Sequence, residues 1–159
     1  MPLNKYLAKY FPDEFKAPTV SIHDSATHQV ESGGRQFDDK GNVITSKAGA
    51  LGIAQIMPTT APEAAKLAGV PYNKYLLKYD ADYNAKLGSA YLKQKMIDFN
   101  GDVEKGHAAY NAGSGNVKKA IAKAATHGGS WKDYLPDETK NYIVKIALAK
   151  RRSSTQGNT

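Results

Sequence analysis

The segment HQVESGG, residues 28–34, places a single carboxylate, Glu31, directly before Ser32 and a Gly33-Gly34 turn. Upstream of it Ile22, Ala26 and Val30 recur every four residues, as one apolar stripe of a helix would. At about 100° per residue, Glu31 falls roughly a quarter turn from that stripe, on the side of Thr27 and at the margin of a core. It also falls in the last helical turn, where unsatisfied carbonyl groups make the local field negative. Burial and that field both disfavour the charged carboxylate and raise its pKa. A carboxylic acid that keeps its proton near neutral pH can donate it to a leaving oxygen. The plain alternative is an ordinary exposed glutamate at a helix end, and both readings fit the segment.

The elements that must hold such a group in place are mostly helical. In PTTAPEAAKLAG, Thr60 and Glu63 have the spacing of a capping box, Pro62 lies early in the helix and Gly69 is placed to end it. Residues 81–99 repeat apolar positions at Tyr83, Leu87, Tyr91 and Ile97; a further helix starts from an Asp102 cap and stops at Gly113, and another begins at once. A last helix opens at Pro136, with Asp137 and Glu138 suited to its positive end and Arg151 and Arg152 to its negative end. One more is expected near residues 3–11. Strand character is confined to RQFDDKGNVITS, where DKGN could turn a small hairpin. The fold class expected is therefore α+β, predominantly α-helical with a small β-hairpin.

Bulk properties restrict the function classes. The 159 residues, 41% hydrophobic and 23% charged, suit one domain with a core of its own. No run approaches the ~18 consecutive apolar residues of a membrane span, and the N-terminal residues lack the apolar stretch of a secretory signal. Zero cysteines exclude disulfides, thiolate metal sites and cysteine nucleophiles. A formal charge of +7, with a terminal cluster KIALAKRR, suits an anionic partner such as nucleic acid, acidic lipid or an acidic polysaccharide, as well as a simply solvated basic surface. His23 and His28, five residues apart, do not share a helix face, so the histidines are read as surface or structural and no metal site is expected.

Further along, the chain carries Glu31-Ser32, then Gly52-Ile53-Ala54-Gln55-Ile56-Met57-Pro58, then Ala109-Tyr110-Asn111-Ala112-Gly113, then Glu138-Thr139 with Tyr142 close behind. In this order the motifs resemble the soluble lytic transglycosylase catalytic domains of the lysozyme-like superfamily, enzymes that cleave peptidoglycan glycan strands. The resemblance covers roughly residues 20–148, and four ordered motifs are far more specific than one. It departs from the family at Ile53-Ala54, where Leu-Met is usual, and in the longer interval between Glu31 and Ser46, which holds the hairpin segment.

The resemblance implies a lysozyme-like domain in which Glu31 is the catalytic acid and then base. It would protonate the glycosidic oxygen, the N-acetyl group of the muramic acid would support the cation, and the sugar's own 6-hydroxyl would close a 1,6-anhydro ring. By the same match, Gln55 and Asn111 hydrogen-bond sugar substituents, Ser46 and Tyr110 contact the sugar or hold Glu31, Met57 packs against substrate and Glu138 binds it. No cofactor or metal is implied. The runner-up is a hydrolytic muramidase with water positioned by Asp38 or Asp39, which read otherwise as turn residues; from another class comes a basic module that binds glycan or nucleic acid without cleaving it. Trp131, with Tyr134 nearby, is read as core in preference to a ring that stacks on a sugar. The expected organisation is an N-terminal extension over 1–17, a catalytic domain over 18–150 and a basic disordered tail over 151–159. Peptidoglycan strands are the partner expected, with no nucleic acid, no membrane insertion and a monomeric state. A bacteriophage lysis or infection protein, or a piece of a longer secreted enzyme, would each bring this bacteriolytic domain to the wall.

Overall fold

A computed structural model describes residues 20–156. Among these the elements are α1 (Ile22–Ser32), α2 (Ala61–Ala68), α3 (Lys74–Tyr79), α4 (Ala81–Asp98), α5 (Val103–Ala112), α6 (Ser114–His127), a 3₁₀ turn (Trp131–Tyr134) and α7 (Asp137–Gln156). Helix α1 starts where the Ser21 hydroxyl accepts the Asp24 N–H at 3.0 Å. It stops at Gly33, whose φ of 68° is left-handed; the N–H groups of Gly33 and Gly34 return to the carbonyls of Gln29 and His28. Asp102 caps α5 through the Lys105 N–H, as expected. Thr60 makes no side-chain cap to α2, so the expected capping box is not formed, and Gly69 ends that helix.

The buried residues form two cores. The first is enclosed by α1, α5, α6 and α7, with Ala26, Ala108, Val117, Ala120, Ile143 and Ile146 inside and Val30, Trp131 and Tyr134 packed against it. The second lies under the segment after α1, with Leu51, Ala54, Ile56, Ala61, Ala65, Leu77 and Leu87 inside. Tyr110 leaves α5 to pack against this second core. Helix α4 approaches the second core closely: an added methyl at Gly88 would overlap the Ala54 side chain. Ala54 is therefore packed where a larger residue at either position would force the two apart.

The expected hairpin is not a pair of strands. Phe37 faces Val43, Thr45 faces Leu51 and Leu51 faces Ile56 as isolated antiparallel bridges, and no strand is present among the described residues. The side chains account for it. Asp38 accepts the N–H groups of Lys40 and Asn42, both at 2.9 Å, which winds the turn tightly. Backbone pairing across this turn is limited to two bonds, from the Asp38 N–H to the Asn42 carbonyl at 2.8 Å and from the Ile44 N–H to the Gln36 carbonyl at 2.9 Å, so it goes no further than the single Phe37–Val43 bridge. At the other end, α7 continues through Arg151 and Arg152 to Gln156, where a disordered tail was expected from residue 151. The hydroxyls of Ser153 and Ser154 donate one turn back, to Ala149 and Lys150 at 3.1 and 3.0 Å, and no glycine or proline interrupts before residue 157. The expected helix near residues 3–11 and the extension over 1–17 lie outside the described residues.

Two buried amides clamp the loop that follows the bridges. Asn84 of α4, 0% exposed, accepts the Ala54 N–H at 2.9 Å and donates to the Leu51 and Leu77 carbonyls at 2.8 and 3.0 Å. Gln36, 4% exposed, accepts the Ile53 N–H at 2.8 Å and donates to Leu77 and Lys78. Gly52 runs between these amides so closely that a Cβ would strike both. Asn84→Ala strands the Ala54 N–H and the Leu51 carbonyl away from water, which costs about 2–4 kcal/mol. Thermal unfolding should then fall by roughly 5–15 °C; a loss under about 2 °C would show that the clamp does not hold the loop.

Candidate active site

Glu31 is the penultimate residue of α1 and sits at the seam between the two cores. The Ser32 hydroxyl donates across that seam to the Ile53 carbonyl at 2.8 Å and accepts the Arg35 N–H at 3.2 Å, fixing the helix end to the loop of the second core. Burial raises the Glu31 pKa from an ordinary 4.5 to about 7, and the negative charge of Glu138 adds to the rise. The Tyr142 hydroxyl beside it moderates the shift. That hydroxyl is buried and meets no partner at ordinary hydrogen-bond geometry among the described residues, so it faces the carboxyl and Thr27 without being locked to either.

Tyr110 and Asn111 come from the last turn of α5. The Tyr110 hydroxyl donates to the Ala54 carbonyl at 2.6 Å, and its ring meets Tyr91 edge to face at 5.7 Å. Burial, and then the charge of Glu31, hold this phenol well above its ordinary pKa, so it stays protonated and keeps its donor. Asn111 accepts the Thr139 hydroxyl at 2.9 Å. Thr139 is buried in the first turn of α7, so this bond latches the end of α5 to the start of α7 and holds the exposed Glu138 beside the seam.

The remaining residues expected at the site belong to the loop. Gln55 has a φ of 50°, strained for a residue with a side chain, and its amide donates to the Ile44 and Gly52 carbonyls at 3.1 and 2.9 Å. The Ser46 hydroxyl accepts the Ala50 N–H at 3.0 Å. Met57 is part-buried, and its carbonyl starts α2 by accepting from Thr60 and Ala61. Glu31, Tyr110 and Glu138 thus share one electrostatic neighbourhood, whereas the hydrogen bonds of Ser46 and Gln55 go to local backbone. The hydroxyls of Ser46 and Tyr110 bond the backbone of the loop itself.

Residues with other readings fall elsewhere. Asp38 is used by its own turn and Asp39, 94% exposed at its side chain, pairs with Arg35 at 2.7 Å. His107 is buried, and burial with the positive charge of Lys150 lowers its pKa to about 3, which keeps it neutral inside the first core. A groove of about 940 Å³ between α1, α2 and α4, lined by Asp24, His28, Ser89 and Lys93, does not include Glu31; the seam is a candidate on its chemistry rather than on its volume. Thr27, Gln36, Asn84 and Tyr142 complete the setting. Thr27 was signalled by sharing Glu31's side of α1 and Tyr142 by following Glu138-Thr139; the two amides had no local signal.

Residues 26–131 match the Transglycosylase SLT domain. The chain belongs to this family. Its similarity to the soluble lytic murein transglycosylase of Escherichia coli (strain K12) is 30% identity over 107 residues, covering 65% of this chain and 17% of that protein. With the membrane-bound lytic murein transglycosylase D of the same strain it is 35% over 113 residues, covering 64% and 23%. The chain thus spans less than a quarter of the length of these curated relatives. Among solved structures, the 70 kDa soluble lytic transglycosylase Slt70 of Escherichia coli superposes with a TM-score of 0.71 at 25% identity, covering 93% of this chain and 23% of that one. An inactive Glu-to-Gln mutant of the lytic transglycosylase Slt from Pseudomonas aeruginosa gives 0.70 at 26% identity, covering 99% and 25%. The SLT domain here is accordingly predominantly helical with an Slt70-like, lysozyme-like fold.

Holding an SLT-domain acid at this seam has a stability cost of definite sign. Because the folded pKa of Glu31 lies above its unfolded value, the folded state binds more protons between pH 4.5 and 7, and stability is lost as pH rises through that window. Glu31→Gln removes the charge and should make the protein more stable than the wild type at pH 8 by about 1–3 kcal/mol. At pH 4.5 the two should unfold alike. Equal urea midpoints at pH 8 would mean that the carboxylate is solvated and the site is misread.

Proposed function

We propose that this chain carries the catalytic domain of a peptidoglycan lytic transglycosylase, with residues 18–150 as the working unit, Glu31 as its acid and base, and a monomer as its functional state. The observation that carries the reading is a carboxyl group raised by burial to a pKa of about 7 that interacts with Tyr110, Tyr142 and Glu138 of the family's own motifs. At neutral pH a large share of Glu31 is protonated and can donate to the bridging glycosidic oxygen as the bond to the anomeric carbon breaks. The substrate's N-acetyl group supports the positive charge at that carbon. The 6-hydroxyl oxygen of the same sugar then bonds to the anomeric carbon, and its proton passes to the Glu31 carboxylate. Atoms and protons balance without a water, and Glu31 ends as it began.

Gln55 and Asn111 would hydrogen-bond sugar substituents, Met57 would pack on the sugar, and Ser46 and Tyr110 would shape the wall they already hold. Glu138 would bind substrate while its charge adds to the burial that keeps Glu31 protonated. The hydrolytic alternative needs a free carboxylate to position water, and Asp38 and Asp39 are engaged in a turn and an ion pair. In the Pseudomonas relative a glutamate-to-glutamine change accompanies inactivity, which fits a single essential carboxyl. Delivery to the wall by a bacteriophage, or as part of a longer secreted enzyme, suits this activity equally.

Glu31→Gln should lower turnover on purified cell walls by roughly 10²–10⁴-fold, and mass spectrometry of wild-type products should find 1,6-anhydro ends. Asp38→Asn with Asp39→Asn should retain most activity and the same products. Near-normal lysis by Glu31→Gln, or mainly reducing-end products from the wild type, would refute the mechanism.

A further inference from the structure

Helix α3 carries more exposed aromatic surface than its fold requires. Its inward contribution is Leu77, 1% exposed, together with the Leu77 and Lys78 carbonyls that receive Gln36 and Asn84. Tyr72, Tyr75 and Tyr79 are instead 43%, 65% and 62% exposed. Tyr75 and Tyr79 stand one turn apart and so share a face, and Lys74 lies over the Tyr75 ring at 5.3 Å. Single exposed apolar residues are ordinary, but three tyrosines gathered on one short segment form a patch of the kind that marks an interaction surface.

The patch borders a groove of about 350 Å³, within the ~300–1,000 Å³ range of small-ligand sites. Its lining includes the buried Leu51 and Leu77 and the exposed Pro58, Lys74 and Lys78. In the sequence, Leu51 and Pro58 bound the loop that carries Gln55 and Met57. We propose that this groove is an accessory glycan-binding site that holds a stretch of the peptidoglycan strand away from the scissile bond. A tyrosine offers a flat apolar face with a hydroxyl at its edge, which matches the apolar face and polar rim of a sugar ring. The two lysines complement the carboxylates of the stem peptides. The proposal rests on the wall-cleaving function above, and it deepens that reading by adding a binding contact that does not depend on Glu31.

The test uses the full chain with Glu31→Gln, so that the wall is not consumed, and measures pelleting with purified sacculi. Adding Tyr72→Ala, Tyr75→Ala and Tyr79→Ala should weaken binding about tenfold with an unchanged Tm. Should the triple variant fail to fold, Tyr75→Asp alone, at the most exposed of the three positions, should weaken pelleting in the same direction. Unchanged pelleting by a folded variant overturns the accessory site, as does sedimentation showing a dimer that the same substitutions dissociate, since the patch would then belong to a second copy. Because binding is read without turnover, a failure here is separate from a failure of the catalytic reading, which lysis by Glu31→Gln alone would reveal.

Discussion

The arrangement depends on the desolvation of one carboxyl group. Glu31 is withdrawn from water at the end of a helix, where the field already disfavours negative charge, and Glu138 adds to that field from the opposing helix. The seam that withdraws it exists because the chain folds around two cores, with α1 closing one and the loop after it belonging to the other. A single merged core would bury Glu31 completely, and an open helix end would leave it ionised. An acid poised near neutrality therefore follows from how the two cores meet.

That meeting is held by polar groups in places where apolar packing could not aim backbone. Asn84 and Gln36 dictate the path of residues 51–54, Ser32 joins that path to the end of α1, and Tyr110 joins it to α5. The Asn84 bond is buried and the other three are part-buried, so loss of one partner costs desolvation of the other, most of all at Asn84. The loop is consequently rigid although it has no strands, and it can support Gln55 in a left-handed conformation that an unconstrained residue would leave. The thin contact between Gly88 and Ala54 brings α4 close enough for Asn84 to reach the loop at all.

Much of this was legible in the sequence where the signal was local. The stripe of Ile22, Ala26 and Val30 set the face of α1, Thr27 marked the side on which Glu31 would be buried, and Gly33 marked the stop. Caps at Asp102 and glycines at 69 and 113 bounded their helices. Helix α3 was missed because six residues rich in tyrosine and lysine show no apolar period; it stands on the Asn73 cap and on tertiary bonds to its last carbonyls. The hairpin was read too fully: its turn residues are genuine and Phe37 does face Val43, but the pairing stops at that bridge, while the Gln36 side chain serves backbone groups more than forty residues away in the chain. The roles of Gln36 and Asn84 depend wholly on such distant acceptors, and no window of sequence contains them. Likewise the direction of the Glu31 shift could be read from placement, whereas its size needed the opposing helix α7 with Glu138 and Tyr142.

The central claim is that Glu31 itself carries a proton near neutral pH, and a titration of its side-chain carboxyl by ¹³C NMR in the folded wild-type protein addresses it most directly. The account predicts a midpoint of about 7, lowered only in part when Glu138 is replaced by glutamine because burial is the larger cause. A midpoint near 4.5 with Glu138 intact would contradict it, because Glu31 would then be an ordinary ionised residue at a helix end with no proton to give.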